Sequence, residues 1–387
     1  MKIKIWKINK LEKICEILDN KRVPISQKDR ISGIYPYYGA SGIVDYIDKY
    51  IFDEELVLIG EDGAKWDAFE NSAFIASGKY WVNNHAHILK PNNEILINKF
   101  LVYFLNYSNL EKYITGATVK KLNQQKLKQI EIPLPPLKEQ ERIVGILDES
   151  FAKIDESIKI LEQNLLNLDE LMQSALQKAF NPLKDNAKEN YKLPQGWEWK
   201  SLGDISNYGK TSQVKPSQLK GNDWILELED IEKESGVLLQ KVLFQDRQSK
   251  SNKIKFNKGD ILFGTLRPYL KKVIIANDNG ACSSEIMPFS TGNSIANHFI
   301  YYYLFANFLH DRISSLTYGA RMPRLGTKDG KSLQIPLPPL KEQEQIAEHL
   351  DFVFEKAKAL KELYTKELKD YEELKQFLLD KAFKGEL

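Results

Sequence analysis

A ten-residue string, IPLPPLKEQE, stands at residues 132–141 and again, without a mismatch, at residues 335–344, an offset of 203. A repeat of this kind settles architecture before any local motif does, because the duplicated segment has to fold the same way twice. The match runs on at the same offset with no gap. Ile143, Leu147 and Asp148 answer to Ile346, Leu350 and Asp351, and Glu170, Leu171, Lys178, Ala179 and Phe180 answer to Glu373, Leu374, Lys381, Ala382 and Phe383. Upstream, Gly116 and Ala117 match Gly319 and Ala320. A segment of about 65 residues is therefore duplicated without insertion, as expected of continuous helix or tightly registered packing.

The duplicated segment carries the marks of a helix. Pro135 before Pro136 forces an extended approach, and a proline at the first helical position forfeits no hydrogen bond, so a helix is predicted from Pro136 or Leu137, and its copy from near Pro339. Leu147, Phe151, Ile154, Ile158, Leu161, Leu165, Leu168, Met172, Ala175 and Ala179 then follow a 4,3,4,3 spacing, the seam of a coiled coil. In the second copy Leu350, Phe354, Ala357, Leu360, Tyr364, Leu368, Tyr371, Leu374 and Leu378 form a less regular stripe. Each helix would be about 60 Å long at 1.5 Å per residue. Such a helix needs a partner for its stripe, and the nearest is the other copy. The two are expected to pack as an antiparallel coiled coil with a pseudo-two-fold internal repeat.

Ahead of each helix lies a mixed region, residues 1–131 and about 190–334. Trp6, Leu11 and Ile14 pair with Trp197, Leu202 and Ile205, and NKFLVY at 98–103 pairs with NHFIYY at 297–302, at offsets of 191 and 199. The two regions share a frame but differ inside it. Short apolar runs such as LVLIG and ILFG between Gly, Asn and Asp turns look like strands. The fold class expected is α/β (mixed): globular α/β domains at 1–131 and 197–334, long helices at 132–180 and 335–387, and a polar linker with two prolines at 181–196.

Two cysteines, Cys15 and Cys282, form no CxxC spacing and so indicate neither a disulfide framework nor a cysteine zinc site. The opening MKIKIWKINK lacks the apolar stretch of a signal peptide, and the longest apolar run, residues 299–309, is too short for a bilayer. A soluble cytoplasmic protein is expected. The overall net charge of +2 hides a division. Residues 1–131 hold 19 basic against 16 acidic residues and residues 190–334 hold 20 against 14, whereas residues 132–189 hold 7 against 11 and residues 335–387 hold 9 against 12. Positive globular regions on negative helices suit contact with nucleic acid, because phosphate neutralisation supplies most non-specific affinity.

The order of globular domain, PLPPLKEQ-led helix, second globular domain and second PLPPLKEQ-led helix, with LPQGWEWKSLGDI at residues 193–205, resembles the specificity subunit (HsdS family) of type I restriction-modification systems over the whole chain. The first domain departs from the pattern by starting at Trp6 without the LPxGW lead-in. The resemblance implies two target-recognition domains, each reading one half of a bipartite site in double-stranded DNA, with the helices setting the gap. It further implies docking of two methyltransferase (M) subunits, which bind S-adenosylmethionine and methylate adenine, and of restriction/translocase (R) subunits using ATP and magnesium. This chain itself would hold no cofactor and catalyse nothing.

Candidate DNA-binding residues come from local chemistry. In GARMPRLG, Arg321 and Arg324 stand beside glycines that let backbone approach a ligand, and arginine suits bidentate contact with guanine or phosphate. The matching GATVKKLN offers Lys120 and Lys121, which suit phosphates better than bases. Lys79, Asn84 and His85 lie in SGKYWVNNHAH, where Tyr80 and Trp81 read as core. Lys210 and Ser212 in YGKTS are backbone-contact candidates; a phosphate loop is not indicated there, since the first glycine of GxxxxGK[ST] would fall at Asp204. Arg267 in GTLRPYLKK completes the set. Tyr35, Tyr37 and Tyr38 could stack bases, although a packed aromatic turn is the simpler reading. His85 and His87, which would point the same way on a strand, find no third ligand nearby, so no metal is expected.

Two rival readings are a coiled-coil scaffold without DNA and a stand-alone DNA methyltransferase or nuclease. The chain shows no NPPY- or DPPY-like tetrapeptide, FxGxG or clustered PD...ExK pattern for the second. Two positive, unlike domains argue against the first.

Overall fold

The computed structural model describes residues 6–116, 118–181, 192–247 and 249–387. Most of the polar linker, residues 182–191, lies outside the described residues. The chain divides into two units, residues 1–162 with 365–387, and residues 163–364. Each unit is thus one mixed α/β region together with the beginning of one long helix and the end of the other.

The long helices run over Leu137–Phe180 and Leu340–Phe383, 44 residues each. Both begin where the double proline predicts. The amides of Glu139 and Gln140 donate to the Pro136 carbonyl at 2.8 and 3.1 Å, and those of Glu342 and Gln343 to that of Pro339 at 2.9 and 3.0 Å. The glutamine of the repeated motif explains part of its constancy. Gln140 is fully buried and its amide nitrogen donates to the carbonyls of Ile95 and Pro135 at 2.8 Å, while its oxygen accepts from the Ile97 amide at 2.9 Å. Gln343 repeats the bond back to the Pro338 carbonyl at 2.8 Å.

In the first unit, one antiparallel sheet has the order Cys15–Ile17, Ala86–Pro91, Leu56–Gly60, Ala73–Ala76, and a second has the order Gly42–Ile47, Ser32–Gly39, Lys79–Val82, Phe52–Asp53 with a parallel pair at its centre. LVLIG is the buried inner strand Leu56–Gly60, as its unbroken apolar run predicts. The helix Asn98–Tyr107 lays Phe100, Leu101 and Leu105 into the core, where they meet Leu147 from the first long helix and Leu379 and Ala382 from the second. Phe383 stacks on Tyr107 at 5.0 Å and meets Phe100 and Phe104 edge-on at 5.4 and 5.3 Å. Lys375 pairs with Asp155 here.

The second unit repeats the frame with different contents. Its sheets have the orders Gln213–Val214, Lys253–Phe256, Gly280–Cys282, Trp224–Leu226, and Val273–Ile275, Ile261–Gly264, Ile286–Phe289. ILFG is again a fully buried strand. Phe180 packs on Phe299 and Tyr303, both at 5.1 Å, and Lys361 pairs with Asp169. In the first unit Leu147 clusters with Leu379 and Ala382 while Asp155 pairs with Lys375, and in the second Asp169 pairs with Lys361 while Leu176 clusters with Leu350, so within each unit the long helices run antiparallel, as expected. Met172, Leu168 and Ala357 are buried between them. The seam departs from the strict heptad beyond Met172: Leu176 and Phe180 are fully buried, and Ala175 and Ala179 only partly. A straight helix drifts relative to a seven-residue repeat, and this end packs into the α/β core, on Phe299 and Tyr303 of the helix Ser294–Tyr303, in a cluster that also holds Leu350 of the second long helix. Among the described residues, no helix is long and apolar enough to cross a membrane.

Candidate nucleic-acid interface

The two motifs singled out by charge and glycine fold into the same structure at the same repeat positions. In the second unit, Thr317–Tyr318 pairs antiparallel with Arg324–Leu325 to make a hairpin around GARMP. In the first, Thr115 and Lys121 exchange both backbone hydrogen bonds, at 2.9 and 2.8 Å, around GATVK. Gly116 and Gly319 both have φ of +96°. A Cβ there would stand 2.1 Å from the Val119 carbonyl oxygen or 3.1 Å from that of Met322, so the turn requires glycine at both places.

Each hairpin docks on the end of a buried strand. The Leu325 amide donates to the Thr265 carbonyl at 2.9 Å and the Thr265 amide to the Glu285 carbonyl at 2.8 Å; in the first unit the Leu122 amide donates to Glu61 and the Glu61 amide to His85, both at 2.8 Å. Tertiary bonding therefore makes Glu285 the counterpart of His85 and Arg324 the counterpart of Lys121. Arg267 joins the second site through its amide, which donates to the Pro323 carbonyl at 2.7 Å. Its backbone lies in the left-handed region at φ 49°, as does that of Lys271 at φ 46°, four residues on. A non-glycine residue held there costs roughly 1–3 kcal/mol, and such strain concentrates at functional sites. Lys271 anchors the turn from behind, buried and donating to Asn307; burial lowers its pKa from the ordinary lysine value.

The chemistry on display differs between the two. A shallow cavity of about 360 Å³ in the second unit is lined by Leu266, Glu285, Tyr318, Gly319, Met322 and Arg324. Arg267 and Arg321 are exposed and Arg324 half-buried, and no salt bridge or side-chain hydrogen bond holds these three guanidiniums among the described residues. In the first unit the corresponding side chains are engaged. Lys120 donates to both Glu111 carboxylate oxygens at 2.9 and 3.2 Å, Lys121 pairs with Glu61 at 2.8 Å, and His85 Nδ1 lies 2.5 Å from Asp62. Asn84 is exposed in the turn beside His85.

Other candidates stand elsewhere. Lys79 opens the strand whose far end leads to Asn84, and its ammonium sits 4.8 Å from the centre of the Tyr50 ring, whose hydroxyl raises the lysine's pKa. Lys210 and Ser212 lie in the loop before Gln213–Val214, where the Ser212 carbonyl accepts from the Lys255 amide at 2.8 Å. Tyr37, Tyr80 and Trp81 are buried core. Sequence alone missed Glu285, Tyr318, Met322, Val119, Glu61 and Asp62. Val119 and Met322 had a readable signal, an aliphatic residue beside cations just after a glycine, whereas Glu285 arrives through bonds of its carbonyl to Thr265 and Leu266, some twenty residues away.

His85 and His87 do not face the same way: His87 is fully buried in its strand, while His85 is exposed in the turn before it. His87, Asp19 and Glu61 bring ligand-type atoms within 4.8 Å of one another. They are satisfied by the chain itself. His87 Nε2 lies 2.6 Å from the Leu122 carbonyl, an acceptor only, so that nitrogen carries a proton and offers no lone pair; Nδ1 lies 2.6 Å from Asp19, and Arg22 and Lys121 cover Glu61. Burial would raise the Asp19 and Glu61 carboxyls, but His87 and Arg22 around the first, and Lys121 and Arg22 around the second, hold both below the usual carboxylate range. Stabilisation by such groups is complete above the unfolded pKa of about 4 and is lost as the pH falls through the folded values. The first unit is accordingly expected to loosen below about pH 4, followed by near-ultraviolet dichroism. Glu61→Gln should change the acid midpoint, and an unaltered midpoint would place the transition outside this network.

A family model described as the type I restriction modification DNA specificity domain matches residues 3–166 and 194–369. A Haemophilus influenzae protein assigned as the type I restriction enzyme specificity subunit S.HindORF215P is 30% identical over 352 residues, covering 89% of this chain and 86% of that protein. The Escherichia coli type I restriction enzyme EcoDI specificity subunit is 26% identical over 381 residues, covering 92% and 83%. Among solved structures, a chain from work on complex assembly and conformational transition of the type I R-M system superposes with a TM-score of 0.71 at 20% identity, covering 99% of both chains. The HsdS subunit from Thermoanaerobacter tengcongensis superposes with a TM-score of 0.56 at 20% identity, covering 99% and 98%.

Proposed function

The chain belongs to the type I restriction-modification DNA specificity family, and from that premise we propose that it is the sequence-reading subunit of such an enzyme, working in the cytoplasm on double-stranded DNA and performing no chemistry itself. Each α/β region reads one half of a bipartite site, and the two 44-residue helices set the gap between the halves. The carrying observation is the hairpin built twice on one frame with unlike side chains: Arg321, Met322, Arg324, Arg267 and Glu285 in one, Lys120, Lys121, Val119 and His85 in the other. Unlike readers specify unlike half-sites. Arginine forks match the two acceptors of guanine, a carboxylate such as Glu285 matches the amino group of cytosine, and paired lysines suit phosphates.

The partners follow from the same family. Exposed apolar residues on the long helices, Ile160, Leu374 and Phe377 in the first unit and Leu166, Leu171 and Leu363 in the second, leave each unit apolar side chains for a methyltransferase subunit to cover. Two such subunits would carry S-adenosylmethionine and methylate adenine, and restriction/translocase subunits with ATP and magnesium would join that core.

The test is sequencing of methylated adenines in cells that express this chain with its methyltransferase, before and after exchange of residues 190–334 for those of a relative. One half of the methylated motif is expected to change and the other to stay. Simultaneous change in both halves would defeat the modular reading.

A further inference from the structure

We propose that Met322 is a wedge that enters between two stacked base pairs when the second unit docks on DNA. This rests on the DNA-reading assignment above and adds to it an act by one named side chain.

Met322 stands in the turn of the cationic hairpin, next to its midpoint Arg321, lining the shallow cavity with 53% of its surface exposed. Pro323 follows it and restricts its backbone to extended conformations, and the Pro323 carbonyl is tied to the Arg267 amide at 2.7 Å. The turn therefore carries an apolar point on a braced base. Arg321 and Arg324 flank it in sequence, and neither guanidinium is held by a salt bridge or side-chain hydrogen bond among the described residues. Loop tips ordinarily carry Gly, Asn, Asp or Ser. Here the repeat puts an aliphatic residue in the turn twice, since Val119 occupies the same place in the first unit and is 68% exposed.

Phosphate contact gives no use for an aliphatic side chain, whereas a base step does. Side chains of this type, methionine included, enter between base pairs, partly unstack them and kink the duplex. Methionine suits the task because it is unbranched and polarisable, and its rotatable bonds let it conform to the gap between two bases. Flanking guanidiniums would meanwhile hold the base edges or phosphates on either side, which supplies the electrostatic complement that a protein surface docking on the same turn would have to replace with carboxylates.

The probe is a set of duplexes carrying the bipartite motif that the complex methylates in cells, with 2-aminopurine substituted in turn for each adenine of the motif, its spacer and its flanks other than the methylated ones, which a methyltransferase would itself unstack by flipping, bound by the full chain with its methyltransferase subunits. Unstacking brightens this base. A several-fold rise is expected at one step in the half read by the second unit. Met322→Ala should remove it and Met322→Leu should retain most of it, with the salt dependence of binding and the melting temperature unchanged in both. If salt-dependent binding persists but no base brightens, or brightening survives Met322→Ala, the wedge is overturned and DNA reading stands. If Met322→Ala releases a methyltransferase subunit instead, the turn is a protein contact and the wedge is likewise overturned. Absence of salt-dependent binding in the unaltered complex would remove the DNA assignment itself.

Discussion

Phe180→Ala is expected to destabilise the second unit by about 3–5 kcal/mol, the range for truncating a buried phenylalanine. Phe180 closes the first long helix, is fully buried, and presents its ring to the edges of Phe299 and Tyr303 at 5.1 Å. Aromatic pairs of this geometry contribute about 0.5–1.5 kcal/mol each beyond the area they cover, so the loss exceeds that of an aliphatic residue with equal burial. For a unit of roughly 200 residues this corresponds to a fall in melting temperature on the order of 10 °C. Leu171→Ala, nine residues earlier on the same helix but 54% exposed, should shift stability by no more than about 0.5 kcal/mol. Calorimetry gives the size, and hydrogen exchange should show protection lost across residues 192–335. Equal melting temperatures for the two variants would mean that the helix end does not belong to the unit's cooperative core.

The same phenylalanine shows what sequence reveals and where it stops. Residues 178–180 and 381–383 repeat as Lys-Ala-Phe, which marks both helix ends as constrained. The heptad count nevertheless puts Ala179 in the seam, because it assumes that a single antiparallel helix is the partner throughout. Beyond Met172 the α/β core joins the second long helix as partner, and burial shifts to Leu176 and Phe180. Helix starts were legible since proline chemistry is local, and LVLIG and ILFG were legible since an unbroken apolar run has few ways to be buried. The interface was only half legible. Arg321 and Arg324 declare themselves by type, but the meeting of Arg267 with Pro323 depends on a backbone bond across more than fifty residues. The carboxylates that engage Lys120 and Lys121, Glu111 and Glu61, lie nine and sixty residues away, and nothing in GATVKKLN announces them.

That difference in pairing leads to the larger functional prediction. Arg267→Ala, Arg321→Ala and Arg324→Ala combined should weaken binding of the full chain to random duplex by at least about 100-fold near physiological salt, since each arginine contact to phosphate or base edge contributes roughly 1–3 kcal/mol. The slope of log affinity against log salt should become shallower by about one for each of these guanidiniums that meets phosphate rather than a base edge, because every phosphate that the variant leaves unneutralised keeps close to one condensed counterion. Lys120→Ala with Lys121→Ala in the first unit should do less. Those ammonium groups already neutralise Glu111 and Glu61, so DNA must compete with a carboxylate for each, and their removal also frees those carboxylates to repel phosphate. Titration by fluorescence anisotropy at several salt concentrations separates the two effects: the arginine variant should lose both affinity and slope, and the lysine variant chiefly affinity. Should the arginine variant keep its slope, the hairpin of the second unit would not touch the phosphate backbone, and the matching hairpin of the first unit would lose its assignment with it.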